Sequence, residues 1–122
     1  MEDMQMQLWE RASPDEIREA KQLLSRYRRM IAIRKAFGEM EELSDKQQRY
    51  DAFCRKCLQE VEQAVNLILD DEVRRILEMR YIRGNPHKIT ILHFSGSMAT
   101  STVNRKLAKG IESIANSLKI IR

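Results

Sequence analysis

Apolar positions recur at intervals of three and four along most of the chain, the spacing of one buried face of an α-helix. The first such run follows Ser13-Pro14-Asp15-Glu16. Ser13 suits an N-cap, Pro14 the first helical position and Glu16 the far side of a capping box, while Asp15 and Glu16 favour the positive end of the helix dipole. Ala12 and Ile17 stand at the staple positions. Ile17, Ala20, Leu24, Tyr27 and Ile31 then mark a stripe, so the spacing predicts one helix from Pro14 to about Phe37. Leu23, Met30, Ile33 and Phe37 widen its apolar face, which implies packing on more than one neighbour, within the chain or in a homodimer. Gly38 offers a stop, and Glu39 to Leu43 fits a separate helical turn. Residues 1–12, with Met4, Met6, Leu8 and Trp9 among polar neighbours, read as a short helix or a docking arm.

Ser44 opens a second capping box with Gln47. Behind it Tyr50, Phe53, Cys57, Val61, Ala64 and Ile68 keep helical spacing up to Asp70-Asp71, either of which can cap a third helix. In that helix Val73, Ile76, Leu77, Arg80 and Tyr81 precede Gly84-Asn85-Pro86, a clear break. Thr90 to Phe94 is a short apolar stretch and Ser95-Gly96-Ser97 a turn. From about Ala99 a last helix runs on, with Val103, Leu107, Ile111, Ile114, Leu118 and Ile121 as its buried stripe.

The expected fold is all-α. Four glycines and two prolines leave little of the punctuation that a many-stranded fold needs. Two long amphipathic helices joined by few residues pack antiparallel, giving a helical platform over residues 1–69. Residues 70–122 form a second, smaller module. No repeat or low-complexity segment interrupts either part.

Composition then narrows the class. With 43% hydrophobic and 33% charged residues, the chain is neither a disordered tail nor a membrane protein. No apolar run approaches the roughly 20 residues of a membrane span. The opening Met-Glu-Asp lacks the basic-then-apolar order of a signal peptide, so a cytoplasmic location is expected. The net charge of +4 is unevenly spread. Residues 1–71 hold 12 Lys/Arg against 15 Asp/Glu, a balance of −3, whereas residues 72–122 hold 10 against 3, a balance of +7. A basic module of this kind suits a phosphate-bearing partner, because Lys and Arg displace the counterions condensed on nucleic acid.

Helix, break, short apolar element, small-residue turn and a Ser/Thr-rich helix start is the order of a DNA-reading helix-turn-helix. At 100° per residue Val103 and Leu107 point one way, while Ser101 and Arg105 point nearly opposite, with Thr102, Asn104 and Lys109 on the flanks. Small hydroxyls permit close approach to a groove floor; arginine pairs with guanine and asparagine with adenine. Thr100 or Ser101 can instead donate to phosphate at the helix N-terminus. Ser101, Thr102, Asn104 and Arg105 are thus the expected base-reading or register-setting residues of a double-stranded DNA site, with Thr100 beside them at the helix start, and Lys88, Lys106 and Lys109 the expected phosphate-holding cations.

Other chemistry is weaker. Cys54 and Cys57 lie inside a predicted helix with no second cysteine pair, and reach a zinc set only if His87 and His93 converge from afar, so core packing is the preferred reading. His93 reads as a turn or partly buried polar residue. Asp70-Asp71-Glu72 reads as a cap and dipole partner. No nucleophile–base motif or glycine-rich phosphate loop is present, so neither catalysis nor a metal or other cofactor is expected. A recombinase would need a catalytic Ser or Tyr domain beyond what 122 residues accommodate. The basic concentration Arg26, Arg28, Arg29, Arg34 and Lys35 reads as a solvated face with internal ion pairs, in preference to a second DNA-backbone contact.

Ile76-Leu77-Glu78-Met79-Arg80-Tyr81-Ile82, with Ser101-Thr102-Val103-Asn104-Arg105-Lys106-Leu107 and Gly110-Ile111, resembles the region-4 helix-turn-helix of sigma factors. The segment is most similar to the ArpU and RinA-like late-gene transcriptional regulators of phages and prophages of Gram-positive bacteria. The likeness covers about residues 70–118. It implies a non-enzymatic activator that binds a promoter and works with host RNA polymerase, with Thr100, Ser101, Asn104 and Arg105 facing DNA. The chain departs from the pattern at His93, where alanine is usual, at Gly96, where an apolar residue is usual, and at Ser97, where glycine is usual. Ala99 stands where the family caps with Ser or Thr, which passes the cap to Ser97 or Thr100, and either Leu92 or Phe94 anchors the short helix. A helical adaptor docking on polymerase and a DNA-recognition subunit of a phage packaging complex are the competing functions.

Overall fold

The computed structural model describes residues 11–122. The short helix or arm expected over residues 1–12 therefore lies, but for Arg11 and Ala12, outside the described residues. Six α-helices follow: α1 (Pro14–Ser25), α2 (Tyr27–Gly38), α3 (Asp45–Asn66), α4 (Asp71–Leu77), α5 (His87–Phe94) and α6 (Thr100–Ile121). A π-helical turn, Glu78–Ile82, extends α4, and no strand occurs among the described residues. None of the described helices is long and apolar enough to cross a membrane.

The local start signals act as their chemistry dictates. Ser13 and Glu16 form a reciprocal capping box, and Ser44 and Gln47 form another. The Asp70 carboxylate accepts from the Val73 amide at 3.2 Å and caps α4. Each such cap is worth about 1 kcal/mol.

The single helix expected from Pro14 to Phe37 is instead two. Ser25 Oγ donates to the Lys21 carbonyl at 2.8 Å, and the Arg26 amide is shared between the carbonyls of Gln22 (3.2 Å) and Leu23 (3.1 Å). A serine bonding back four residues competes with the backbone ladder and bends the helix. Arg26 adopts φ −95°, ψ −4° between the two helices, and α2 packs on α3. Gly38 ends α2, but Glu39–Leu43 forms turn and irregular backbone and no helical turn.

The buried face of α3 also differs from the expected one. Cys54, Cys57, Leu58, Val61, Ala64 and Val65 are buried, whereas Tyr50 and Phe53 are exposed. The seam takes the small side chains and leaves the two rings, 6.1 Å apart, outside it. In α4 the wider π turn, with the Arg83 amide bonded to the Glu78 carbonyl at 2.8 Å, shifts Arg80 off the buried stripe and places Met79 and Tyr81 there. Gly84, at φ +75°, ends the segment, and the Asn85 amide closes back onto the Met79 carbonyl at 3.2 Å. At a left-handed helix-ending position of this kind glycine carries no steric cost.

The long helix α6 holds the molecule together. It packs on α1, α3, α4 and α5. Val103, Leu107, Ile111, Ile114 and Leu118 are buried as predicted, while Ile121 is half-buried. Gly110 lets α4 come close, since a Cβ there would lie 2.8 Å from Leu77 Cδ1. The boundary drawn at residues 69 and 70 falls at the cap of α4, and one hydrophobic core runs across it from Ala12 to Leu118.

Candidate nucleic-acid interface

α5 ends at Phe94, and the chain turns through Ser95-Gly96-Ser97-Met98 before α6 begins at Thr100. The turn is closed by the Met98 amide on the Phe94 carbonyl at 2.9 Å. Phe94, 8% exposed, is the anchor of α5, and Leu92, 58% exposed, is not. Thr90 is buried beside it, its hydroxyl donating to the Pro86 carbonyl at 3.1 Å. His93 is exposed, and its ring meets the Phe94 ring edge-on at 4.9 Å.

The cap of α6 does not move to Ser97 or Thr100. Ala99 is the N-cap, its carbonyl accepting from Thr102 (3.0 Å) and Val103 (3.1 Å), and no side chain caps the helix. Ser97 Oγ donates instead to the Phe94 carbonyl at 3.3 Å. The first-turn amides of α6 therefore lack a side-chain partner at the positive end of a 22-residue dipole.

Val103 is fully buried, and the opposite side of the helix is open. Ser101, Arg105 and Lys109, on successive turns, form an exposed strip. Asn104 is exposed along one edge of it, Thr102 is half-buried along the other, and Thr100 is exposed at the helix start. Glu112, half-buried on the same side, ends the cationic run. Lys88 is exposed on α5. Lys106 is placed differently: its side chain is 19% exposed, and its ammonium donates to Glu72 of α4.

Ion pairing sorts the cations of the basic segment. Arg74 pairs with Asp71 and Glu78, Arg75 with Asp71, Lys119 with Glu16 and Arg122 with Glu60. Among the described residues, no carboxylate pairs with Arg80, Arg83, Lys88, Arg105 or Lys109. Within the basic segment, the cations without a described carboxylate partner thus lie on α6, α5 and the π turn and its end. Of the basic concentration Arg26, Arg28, Arg29, Arg34 and Lys35, expected to form internal ion pairs, Arg34 alone pairs with a described carboxylate, Asp51 of α3 at 3.1 Å, and the stem of Arg28 lies against Gly84.

Arg80 and Lys21 were not among the expected site residues. With His87 and Asn104 they line a cleft of about 340 Å3 beside the strip. The Arg80 guanidinium lies 4.8 Å from the Tyr81 ring centroid and donates to the Asn85 carbonyl at 3.2 Å. The Leu-x-x-Arg-Tyr segment marked Arg80 in the sequence, but nothing local marked Lys21, which reaches this place only through the packing of α1 on α6 and the π turn.

Cys54 and Cys57 are buried free thiols of α3, and burial pushes both above the usual thiol range. No group of His, Cys, Asp and Glu among the described residues is placed to hold a metal ion. Comparison of the chain with protein-family models, curated proteins and solved structures returns no match.

Proposed function

We propose that the chain is a non-enzymatic, sequence-specific DNA-binding regulator of transcription, with α5, the turn and α6 acting as a helix-turn-helix whose last helix enters the major groove. The observation that carries this reading is the exposed Ser101–Arg105–Lys109 strip, unpaired with any described carboxylate while Arg74, Arg75, Lys106, Lys119 and Arg122 are engaged. Arg105 and Asn104 are the base-reading groups, Ser101, Thr102 and Thr100 set register, and Lys109 and Lys88 hold phosphates. The side-chain-free first turn of α6 adds amide donors suited to a phosphate. The likeness to sigma region 4 and to the ArpU and RinA-like regulators extends the reading to activation of phage or prophage late genes, with host RNA polymerase, in the bacterial cytoplasm.

The test is a titration of the chain with promoter duplexes from its own genomic neighbourhood. Arg105→Ala should weaken binding to the preferred site by about 1–3 kcal/mol and relax preference at one base pair. Unchanged affinity and preference in that variant would reject the assignment.

A second reading, an adaptor that docks on polymerase through protein contacts, is favoured by the apolar surface of α5, where Ile89 and Leu92 are exposed next to Lys88. It predicts weak, sequence-blind duplex binding at physiological salt, and titrations at two salt concentrations separate the two readings.

A further inference from the structure

The cleft beside the α6 strip is walled by four elements: α1 gives Lys21, the π turn Arg80 and Tyr81, the start of α5 His87, and α6 Asn104. Leu107 and Ile111 form an apolar floor. No carboxylate lines it. A larger cleft elsewhere along α1 and α6 does carry carboxylates, Glu16 and Glu19, beside Arg26, Lys119 and Arg122. Arg80 is already held by the Asn85 carbonyl and the face of Tyr81, so its guanidinium loses little freedom on meeting an anion. Among the described residues neither Lys21 nor Arg80 has a carboxylate partner. Two cations, an amide and an imidazole around an open apolar floor match an oxygen-rich anion that is part of something larger than the cleft.

We infer that this cleft takes one phosphodiester of the duplex backbone, so that Lys21, a residue of the N-terminal half, belongs to the nucleic-acid interface. The inference rests on the DNA-binding reading, and it adds a contact from outside the helix-turn-helix. Asn104 joins the two places, since it lines the cleft and neighbours Arg105 on the strip.

The full chain and its Lys21→Ala and Lys21→Arg variants are titrated with a random-sequence duplex over a series of salt concentrations. Lys21 is exposed, so its removal leaves the core untouched. Lys21→Ala should lower the slope of log affinity against log salt by about 0.9 and weaken binding equally for all sequences, while Lys21→Arg keeps the slope. Parent-like affinity and slope in Lys21→Ala would overturn the cleft assignment and leave the DNA-binding reading standing. A parent chain that binds no duplex even at low salt would remove both together. A parallel titration with inorganic phosphate follows the amide resonances of His87 and Asn104. Shifts there, combined with duplex binding indifferent to Lys21, would reassign the cleft to a small free anion.

Discussion

Glu72 accepts a hydrogen bond from the Lys106 ammonium across 34 positions of sequence, and this pair ties the first turn of α4 to α6. A lysine on the edge of the helix proposed to face DNA is thereby engaged within the protein. An engaged cation releases no counterion from a duplex, so Lys106 and Lys109 should behave differently although they stand three residues apart. Lys109→Ala is expected to lower the salt slope of duplex binding by about 0.9, and Lys106→Ala to leave it unchanged. Glu72→Gln releases Lys106 and should steepen the slope. An equal loss of slope in both lysine variants would place Lys106 on phosphate.

Gly110 offers a stability test at the contact between α4 and α6. A methyl group there meets Leu77 Cδ1 at 2.8 Å and Val73 Cγ1 at 3.3 Å, and both side chains are buried. Overpacking costs about 1–3 kcal/mol, against roughly 1 kcal/mol gained from replacing a helical glycine by alanine. Gly110→Ala should therefore lower the thermal midpoint by a few degrees. Gly38→Ala, with nothing within 4 Å of the new methyl, should hold or raise it.

Tyr27 makes stability depend on alkaline pH. Burial, reinforced by its hydroxyl donating to Glu62 at 3.1 Å and by the charge of that carboxylate, pushes its pKa up to about 12 from 10.0. The folded state then holds a proton that the unfolded chain releases, so the stability that Tyr27 contributes is intact below pH 10 and is lost as pH rises towards 12. Chemical denaturation of Tyr27→Phe should show a shallower decline across that window.

The two cysteines predict a kinetic signature. Both thiols are buried and their pKa values lie above the usual range, so the reactive thiolate is scarce and shielded. A thiol-specific reagent near neutral pH should label the native chain slowly and the unfolded chain at once. Rapid labelling without denaturant would show that α3 opens locally.

What could be read from the sequence was local. Ser13 with Glu16, Ser44 with Gln47 and Asp70 with Val73 are contacts within one turn, and each cap lies where the residue types put it. The inward stripe of α6 was legible because Val103 to Leu118 keep one strong period. The break at Arg26 was not, because it turns on a single serine hydroxyl bonding back to Lys21. The choice of Cys54 over Phe53 for the core of α3 depends on what α2 and α6 leave room for. At the candidate site, periodicity separated Ser101 and Arg105 from Val103, yet it carried no sign that Glu72 engages Lys106 or that α1 brings Lys21 beside Arg80 and Asn104.

The span of α6 has a mechanical corollary. At about 1.5 Å per residue, a single rigid rod reaches from the proposed groove-reading end to Arg122, whose guanidinium grips the buried Glu60 at 2.8 Å. Tilting one end must lever the other. The proposed reading head is not a bead on a string that can be snipped off and studied alone: excising residues 1–69 would remove α1 and α3, both packed on α6, and strip apolar cover from that helix.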